Sequence, residues 1–172
     1  DQEGFEVTPG AALDAGTVSI TNVDQGVTLL GFQFQGLGIG GDLLIDGDGD
    51  PAEELVVNGT ANRDEFEVLD GDADTTVDDV RLETAAGTFV DITTEDINVL
   101  TLRGWDGDDS FTVPAFGGDV DSVSLEGGGP GNSDSATVQG DGTAITLDLD
   151  AMEVTGGGLG SAAPAGRSPA GD

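Results

Sequence analysis

Three segments of this sequence share a pattern in which a glycine begins a short turn and an aspartate ends it, directly before an apolar run. They are GTANRDEFE at residues 59–67, GWDGDDSFT at residues 104–112 and GPGNSDSAT at residues 129–137. The shared aspartates are Asp64, Asp109 and Asp134. Glycine, or asparagine in its place, permits the positive φ that a tight corner requires. Carboxylates and turn carbonyls supply the oxygen ligands that a hard cation such as Ca²⁺ prefers.

The middle segment resembles the calcium-binding nonapeptide Gly-Gly-x-Gly-x-Asp-x-apolar-x of the RTX family of secreted proteins, with Trp105 in place of the second glycine. In that family, turn carbonyls and the inward aspartate hold calcium between adjacent coils of a β-solenoid. The resemblance therefore implies calcium ligands at the three shared aspartates and at the neighbouring acids Asp106 and Asp108.

The spacing of the copies departs from the RTX pattern, because the three aspartates lie 45 and 25 residues apart instead of in tandem. On coils of about 22 to 23 residues, Asp109 and Asp134 would be neighbours and Asp64 would lie two coils away. We therefore expect one cation site, joining the last two turns. The alternative is that each aspartate caps its own corner by hydrogen bonding to the backbone.

A second candidate cation site is the segment DGDGDPAEE at residues 46–54, which resembles the first half of an EF-hand or dockerin loop. Acids at alternate positions, here Asp46, Asp48 and Asp50, can converge on one ion across a tight loop. The twelfth position of the loop, where an EF-hand has an acid, is Val57. Cation binding and a solvated acidic turn remain equally good interpretations of this segment.

Composition excludes several kinds of chemistry. The 172 residues include 35 acids and four arginines but no Lys, His, Cys or Tyr, and the formal net charge is −31. A Ser-His-Asp triad, a disulfide, a thiolate or imidazole metal site, a Schiff base and a P-loop lysine are therefore impossible. Nucleic acids and anionic membrane surfaces would be repelled. Such acidity is typical both of calcium-loaded extracellular proteins and of proteins from high-salt habitats, and composition does not separate the two.

The segments that must position these acids are short and alternate between apolar and polar residues, as β-strands do. The apolar residue before each glycine turn recurs with a period of about 22 to 23 residues. These register positions are Phe34, Val57, Leu82 by interpolation, Leu102, Leu125 and Leu147. We predict an all-β fold, specifically a parallel β-solenoid (β-helix) with coils of that length, because each coil must stack on its neighbours to bury its apolar stripe. An antiparallel β-sandwich is the alternative.

One domain is expected at residues 1–155, with residues 1–21 as a cap or junction strand. Residues 156–172 are rich in Gly, Ala, Pro and Ser, which predicts a tail or linker. No apolar run approaches the about 20 residues that a membrane helix needs, so we expect no membrane insertion. The opening residues Asp1, Gln2 and Glu3 suggest a mature or excised fragment.

From about Gly31 to Val154, the acidic repeats resemble those of large secreted or cell-surface proteins of bacteria and archaea: adhesins, surface-layer components and extracellular fibre subunits. The resemblance implies a non-catalytic extracellular structural module, a subunit or repeat of a surface layer or filament that assembles end to end with copies of itself, with calcium as a stabilising ion. One alternative is a glycan-binding or adhesive domain excised from a larger protein, with Trp105 as a contact residue. A third is a polysaccharide-active β-helix enzyme built around Arg103 and its neighbouring acids; we expect no catalysis.

Overall fold

The structure, a computed structural model, describes residues 2–38, 41–49, 53–70, 77–89, 91–114, 120–129, 134–140, 145–148, 153–156 and 159–164. These residues form β-strands and loops, with no helix among them, so the prediction of an all-β fold is confirmed. The strands are β1 (Glu3–Pro9), β2 (Ala15–Asn22), β3 (Val27–Gln35), β4 (Asp42–Asp46), β5 (Glu54–Asn58), β6 (Glu65–Asp70), β7 (Val77–Thr84), β8 (Gly87–Thr88), β9 (Asp91–Glu95), β10 (Val99–Arg103), β11 (Ser110–Val113), β12 (Ser122–Glu126), β13 (Ser135–Val138), β14 (Ile145–Asp148), β15 (Glu153–Gly156) and β16 (Leu159–Pro164).

The strands form two mixed sheets. The first has the order β14-β15-β16-β12-β10-β5-β1-β2-β3, and its five central strands from β16 to β1 run parallel. The second has the order β13-β11-β6-β7-β9-β4, with β8 paired to β7. In this sheet β13, β11 and β6 are parallel to one another, and so are β9 and β4. Antiparallel hairpins extend the first sheet at both ends.

The predicted register is confirmed for three positions. Val57 and Leu102 pair across β5 and β10, and Leu102 and Leu125 pair across β10 and β12. Val57 and Leu102 are fully buried, since alternate residues of each strand point into the core. The same pairing in the second sheet stacks Phe66 on Phe111, with ring centroids 5.0 Å apart.

The interpolated position Leu82 was wrong as a coil position. Leu82 lies on β7, which runs antiparallel to β6. Leu82 pairs there with Phe66 of β6. Residues 65–95 are therefore not one further parallel coil: β7, with its partner β8, and β9 add strands to the outer side of β6, next to β4. This leaves β5 free to pair directly with β10. The remaining register positions, Phe34 and Leu147, also lie on antiparallel strands, β3 and β14.

Both sheets contribute to one apolar core. Its fully or nearly fully buried members are Val7, Val18, Ile45, Leu55, Val57, Phe66, Val68, Val80, Leu82, Phe89, Ile92, Ile97, Leu100, Leu102, Phe111, Val113, Val120 and Val123. In the short strands every second residue is buried. The buried residues are Phe111 and Val113 in β11, and Ile92 and Thr94 in β9. Burying alternate residues of strands such as β9 and β11 fixes their register, since a slip of one residue would turn the apolar set outward.

The two ends of the chain extend the first sheet. Residues 1–21, expected at a junction, contain β1 and most of β2; β1 pairs with both β5 and β2, and the outer edge is occupied by β3. Within residues 156–172, expected as a tail, Leu159–Pro164 form β16 on the edge that β12 would otherwise leave open, since backbone pairing there needs no large side chain. Residues 165–172 lie outside the described part of the chain.

Candidate metal centre

Three carboxylates from separate parts of the sequence converge at one side of the parallel strands. They belong to Glu3 at the start of β1, Asp48 in the loop after β4, and Glu53 directly before β5. One oxygen of each carboxylate lies within 4.8 Å of one oxygen of each of the others. Gly4 of β1 pairs with Glu54 of β5 in parallel register. Glu3 and Glu53 are the residues directly before this pair, so they lie at corresponding positions on the two chain segments. In the described part of the chain, no other three acids converge this closely.

Two glycines shape the loop that carries Asp48. The backbone N–H of Gly47 donates to the carbonyl of Glu95 at 2.8 Å, and a Cβ at Gly47 would overlap Oε2 of Glu53. Gly49 has a φ of +79°, in the left-handed region that glycine adopts without steric cost. The loop therefore folds back on Glu53, and the backbone N–H of Asp48 donates to Glu53 Oε2 at 3.2 Å.

Glu53 is the buried member of the cluster, with none of its surface exposed. Its backbone N–H donates to Oδ1 of Asn98 at 3.3 Å, and its carbonyl accepts the N–H groups of Asn98 and Val99. Oε1 of Glu53 and Oε2 of Glu3 are buried without a hydrogen-bond partner. Burial raises the pKa of Glu53 to about 7; the adjacent carboxyls of Asp48 and Glu3 add to this rise, and the Asp48 backbone N–H opposes it.

The acidic loop predicted at residues 46–54 is only partly the site that the structure forms. Asp48 belongs to the cluster, Asp46 is an exposed residue at the end of β4, and Asp50 lies outside the described residues. Sequence reasoning missed Glu3 and Glu53 as candidates. Glu53 is in the quoted acidic segment, but Glu3 is 50 residues upstream and reaches it only through the pairing of β1 with β5, which no local pattern indicates.

The shared aspartates of the three turns form a second acidic feature, here called the aspartate column (Asp64, Asp109 and Asp134). The backbone N–H of Asp64 donates to Oδ1 of Asp109 at 2.8 Å, and that of Asp109 donates to Oδ1 of Asp134 at 3.0 Å. The carbonyl of Asp64 accepts the N–H of Ser110, and the carbonyl of Asp109 accepts that of Ser135, both at 2.9 Å. Each aspartate thus links its turn to the next one.

The glycine two residues after each of the register positions Val57, Leu102 and Leu125 makes room for the aspartate that ends the turn. A Cβ built on Gly59 would lie 2.6 Å from Oδ2 of Asp64, and Cβ atoms on Gly104 and Gly127 would overlap the carboxylates of Asp109 and Asp134. In the first turn, Oδ2 of Asp64 also accepts the backbone N–H of Thr60 at 2.5 Å. This contact is the corner-capping bond that we gave as the alternative to calcium binding.

The expectation that Asp64 lies two coils from Asp109 was wrong. The two residues are hydrogen-bonded neighbours, because β7 and β9 lie on the far side of β6 and do not separate it from β11. The expected proximity of Asp109 and Asp134 is confirmed. The three shared aspartates therefore follow one another directly in the structure despite a gap of 45 residues between the first two.

Burial perturbs two members of the column. Asp64 is 0 % and Asp109 is 1 % exposed. Burial raises the pKa of Asp64, while hydrogen bonds from Thr60 oppose the rise. Burial raises the pKa of Asp109 to about 6; the charges of Asp64, Asp134 and Asp108 add to the rise, and the hydrogen bond from the Asp64 backbone opposes it. Oδ2 of Asp109 is buried without a hydrogen-bond partner. Calcium binding at the column stays a prediction.

The remaining candidate residues are outside these contacts. Asp106 and Asp108 are exposed in the second turn. Arg103, which the enzyme hypothesis places beside these acids, forms ion pairs with Glu126 at 2.5 Å and Glu6 at 3.9 Å across the first sheet. Its guanidinium carbon also lies 5.4 Å from the centre of the Trp105 ring. Arg103 thus connects β10 to its neighbour β12 and, beyond β5, to β1.

Trp105 is 51 % exposed and has a φ of +72°, a region that non-glycine residues rarely adopt.

No protein-family model, curated protein or solved structure matches the chain. The described residues contain no helix of the length and apolarity that crossing a bilayer requires.

Proposed function

We propose that the chain is a non-catalytic extracellular structural module, a subunit or repeat of a filament or surface layer, which associates end to end with further copies of itself. We also propose that its finer architecture is a parallel β-solenoid, elaborated at both ends by antiparallel hairpins. The parallel series β1, β5, β10, β12 and β16 in one sheet, and β6, β11 and β13 in the other, supports this architecture.

The observation that carries the proposal of self-association is the outer edge of β3. This strand has nine residues and pairs with β2 on one side only. Val27, Leu29, Leu30 and Phe32 are between 40 % and 56 % exposed. Of the nine exposed large apolar residues in the described part of the chain, eight lie between Leu13 and Leu44, at this end of the sheets. A long apolar edge strand offers its free N–H and C=O groups to another strand.

The exposed apolar face of β3 continues the core face of its sheet. Phe32 pairs with Val18 and Leu30 pairs with Ile20, so their side chains lie on the same face of the sheet. Val18 is 1 % exposed, whereas Phe32 is 40 % and Leu30 is 54 % exposed. The apolar face therefore extends beyond the part that the second sheet covers, and a docked strand would bury the remainder.

Charge favours a second copy of this chain as the occupant of that edge. Two copies that each carry a net charge of −31 repel each other over most of their surfaces. Residues 25–41 form the longest stretch of the sequence without a charged residue, and β3 lies entirely within it. The edge of β3 is thus the place where the opposite end of a second copy, the β14 end of its first sheet, would meet this acidic molecule with the least repulsion.

Static light scattering over a range of protein concentrations, in molar NaCl, tests the proposal. End-to-end association predicts an average mass that keeps rising with concentration, because a heterologous contact that does not close leaves a free end. Leu30→Glu places a charge on the docking edge and should hold the protein at the monomer mass, while Ala61→Glu adds the same charge at an exposed turn and should associate like the wild type. A mass that stops at the dimer would overturn the filament, and a monomer at every concentration would overturn self-association.

A glycan-binding or adhesive domain is the second candidate function, and Trp105 is the observation that favours it. An exposed indole in a left-handed backbone conformation has the character of a contact residue, because such strain persists where the surrounding structure enforces it. Trp105 is the sole tryptophan, so its fluorescence reports directly on an occupied site. Saturable quenching by oligosaccharides, lost in Trp105→Ala, would favour this function over a purely structural one.

A further inference from the structure

We infer that Glu3, Asp48 and Glu53 together form a binding site for one calcium ion, which fastens the N-terminal strand to the body of the protein. The inference does not depend on self-association, because all three residues belong to one chain. It also differs from the acidic loop that the sequence predicts, since two of the three ligands, Glu3 and Glu53, lie outside the alternating acids of that loop.

The first argument for an ion is the lack of any hydrogen-bond donor for two buried oxygens. Glu53 is fully buried, and its Oε1 has no hydrogen-bond partner. The Oε2 atom of Glu3 is also buried and has no hydrogen-bond partner. A buried carboxylate oxygen without a donor has lost its hydrogen bonds to water and destabilises the fold if nothing compensates it. Both oxygens belong to carboxylates of the converging cluster, so a cation bound by these carboxylates would compensate both residues.

The second argument is that no arginine of the described chain pairs with Glu3 or Glu53. The chain has no Lys or His. Among the described arginines, Arg63 pairs with Glu65, Arg81 with Glu67 and Asp91, and Arg103 with Glu126 and Glu6. The carboxylates of Glu3 and Glu53 therefore approach each other within the cluster without an arginine of the described chain to balance them.

The ligand set favours Ca²⁺ over other ions. All donors are carboxylate oxygens, which excludes ions that prefer sulfur or imidazole. Up to six oxygens from three carboxylates suit the flexible shell of six to eight oxygens around Ca²⁺ better than Mg²⁺, which usually keeps several waters and binds one or two carboxylates. Asp48 is exposed, so the open side of the site admits water as a further ligand.

The position of the site gives the ion a structural role. It would connect the first residue of β1 to the residue before β5, and both to the loop that follows β4 of the other sheet. The hairpins of β2 and β3 continue outward from β1. An ion at this point would therefore hold the N-terminal extension of the first sheet, including the β3 edge, in register with the rest of the protein.

Isothermal titration of the chelator-treated full chain with CaCl₂, and separately with MgCl₂, tests the inference in constant molar NaCl. Glu53→Gln retains the size of the side chain and should remove one binding event or weaken it at least tenfold; Glu3→Gln should weaken the same event. Glu83→Gln, which makes the same change at an exposed residue of β7 outside both acidic features, is the matched control and should leave that event unchanged. Circular dichroism of each apo variant verifies folding.

The inference is overturned if Glu53→Gln and Glu3→Gln titrate like the wild type, or if Mg²⁺ at equal concentration produces the same heat and the same rise in melting temperature. It is supported if Leu30→Glu, the variant designed to stay monomeric, keeps the calcium event that Glu53→Gln loses. That comparison also separates the site from self-association, because either property can fail while the other persists.

Discussion

Replacing Asp109 with asparagine should remove a large part of the pH dependence of stability. Asp109 is 1 % exposed, and its pKa is about 6 in the folded protein against an ordinary value of 3.8. Because the folded state holds the proton more tightly, the free energy of unfolding rises as the pH falls through 6 towards 4. Two pKa units correspond to about 3 kcal/mol, of which roughly 2 to 3 kcal/mol is realised between pH 8 and pH 4.

The measurement is urea unfolding of the wild type and of Asp109→Asn at pH 4, 5, 6, 7 and 8, in chelator and molar NaCl to screen the surface charges. Asparagine keeps the Oδ1 acceptor for the Asp64 N–H, and any constant cost of burying its amide cancels in the pH dependence. The wild type should gain about 2 to 3 kcal/mol more than the variant on going from pH 8 to pH 4. Asp106→Asn removes an exposed acid of the same turn and should follow the wild type.

If the free energies of unfolding of the wild type and Asp109→Asn depend on pH in the same way, the raised pKa assigned to Asp109 is refuted. Repeating the series in millimolar CaCl₂ then separates the two interpretations of the aspartate column. If the column binds calcium, the ion should stabilise the wild type at pH 8 and should stabilise Asp109→Asn much less. If the aspartates only cap their corners, calcium should stabilise both proteins equally through the cluster of Glu3, Asp48 and Glu53.

Five further substitutions, at four positions, test the turns and the core by chemical denaturation. Gly128→Ala should cost about 2 kcal/mol or more, since φ is +98° and the new Cβ would overlap the Trp105 carbonyl, whereas Gly36→Ala, with φ +74° and open space, should cost only about 1 kcal/mol. Trp105→Gly should be more stable than Trp105→Ala by about 1 kcal/mol, because glycine adopts a φ of +72° without the steric cost that alanine bears. Phe66→Ala should cost about 3 to 5 kcal/mol, because the ring is 1 % exposed and stacked on Phe111. Equal stabilities for the two Trp105 variants, or a mild loss at Gly128 or Phe66, would contradict these contacts.

The sequence was informative where a strand is short, alternating and bounded by turn residues. The predicted segments around Val57, Leu102 and Leu125 are strands in the expected register, because alternation and the glycine turn are local signals that survive in the fold. The period failed between residues 65 and 95. The antiparallel pairing of β6 with β7 is decided by tertiary contacts, and a period inferred from spacing alone does not detect a reversal of chain direction.

The sites were predictable to the same degree. The aspartate column follows from a repeated turn, so its members were found from the sequence, although the gap of 45 residues disguised the contact between Asp64 and Asp109. The cluster of Glu3, Asp48 and Glu53 has no sequence repeat behind it. It exists because the N-terminal strand inserts beside β5, and a long-range parallel pairing of that kind leaves no periodic trace in the residues that it joins.

The two acidic features differ in how they accommodate buried charge, and the difference indicates where a cation is most needed. In the column, carboxylates accept backbone N–H groups from the neighbouring turn, so the fold itself supplies part of the compensation. In the cluster, Glu53 receives one backbone N–H on Oε2, while its Oε1 and the Oε2 of Glu3 receive none. A chain with 35 acids and four arginines has few internal cations to offer. Calcium should therefore act first at the cluster, and monovalent salt, which screens exposed charges but does not ligate buried oxygens, should not substitute for it.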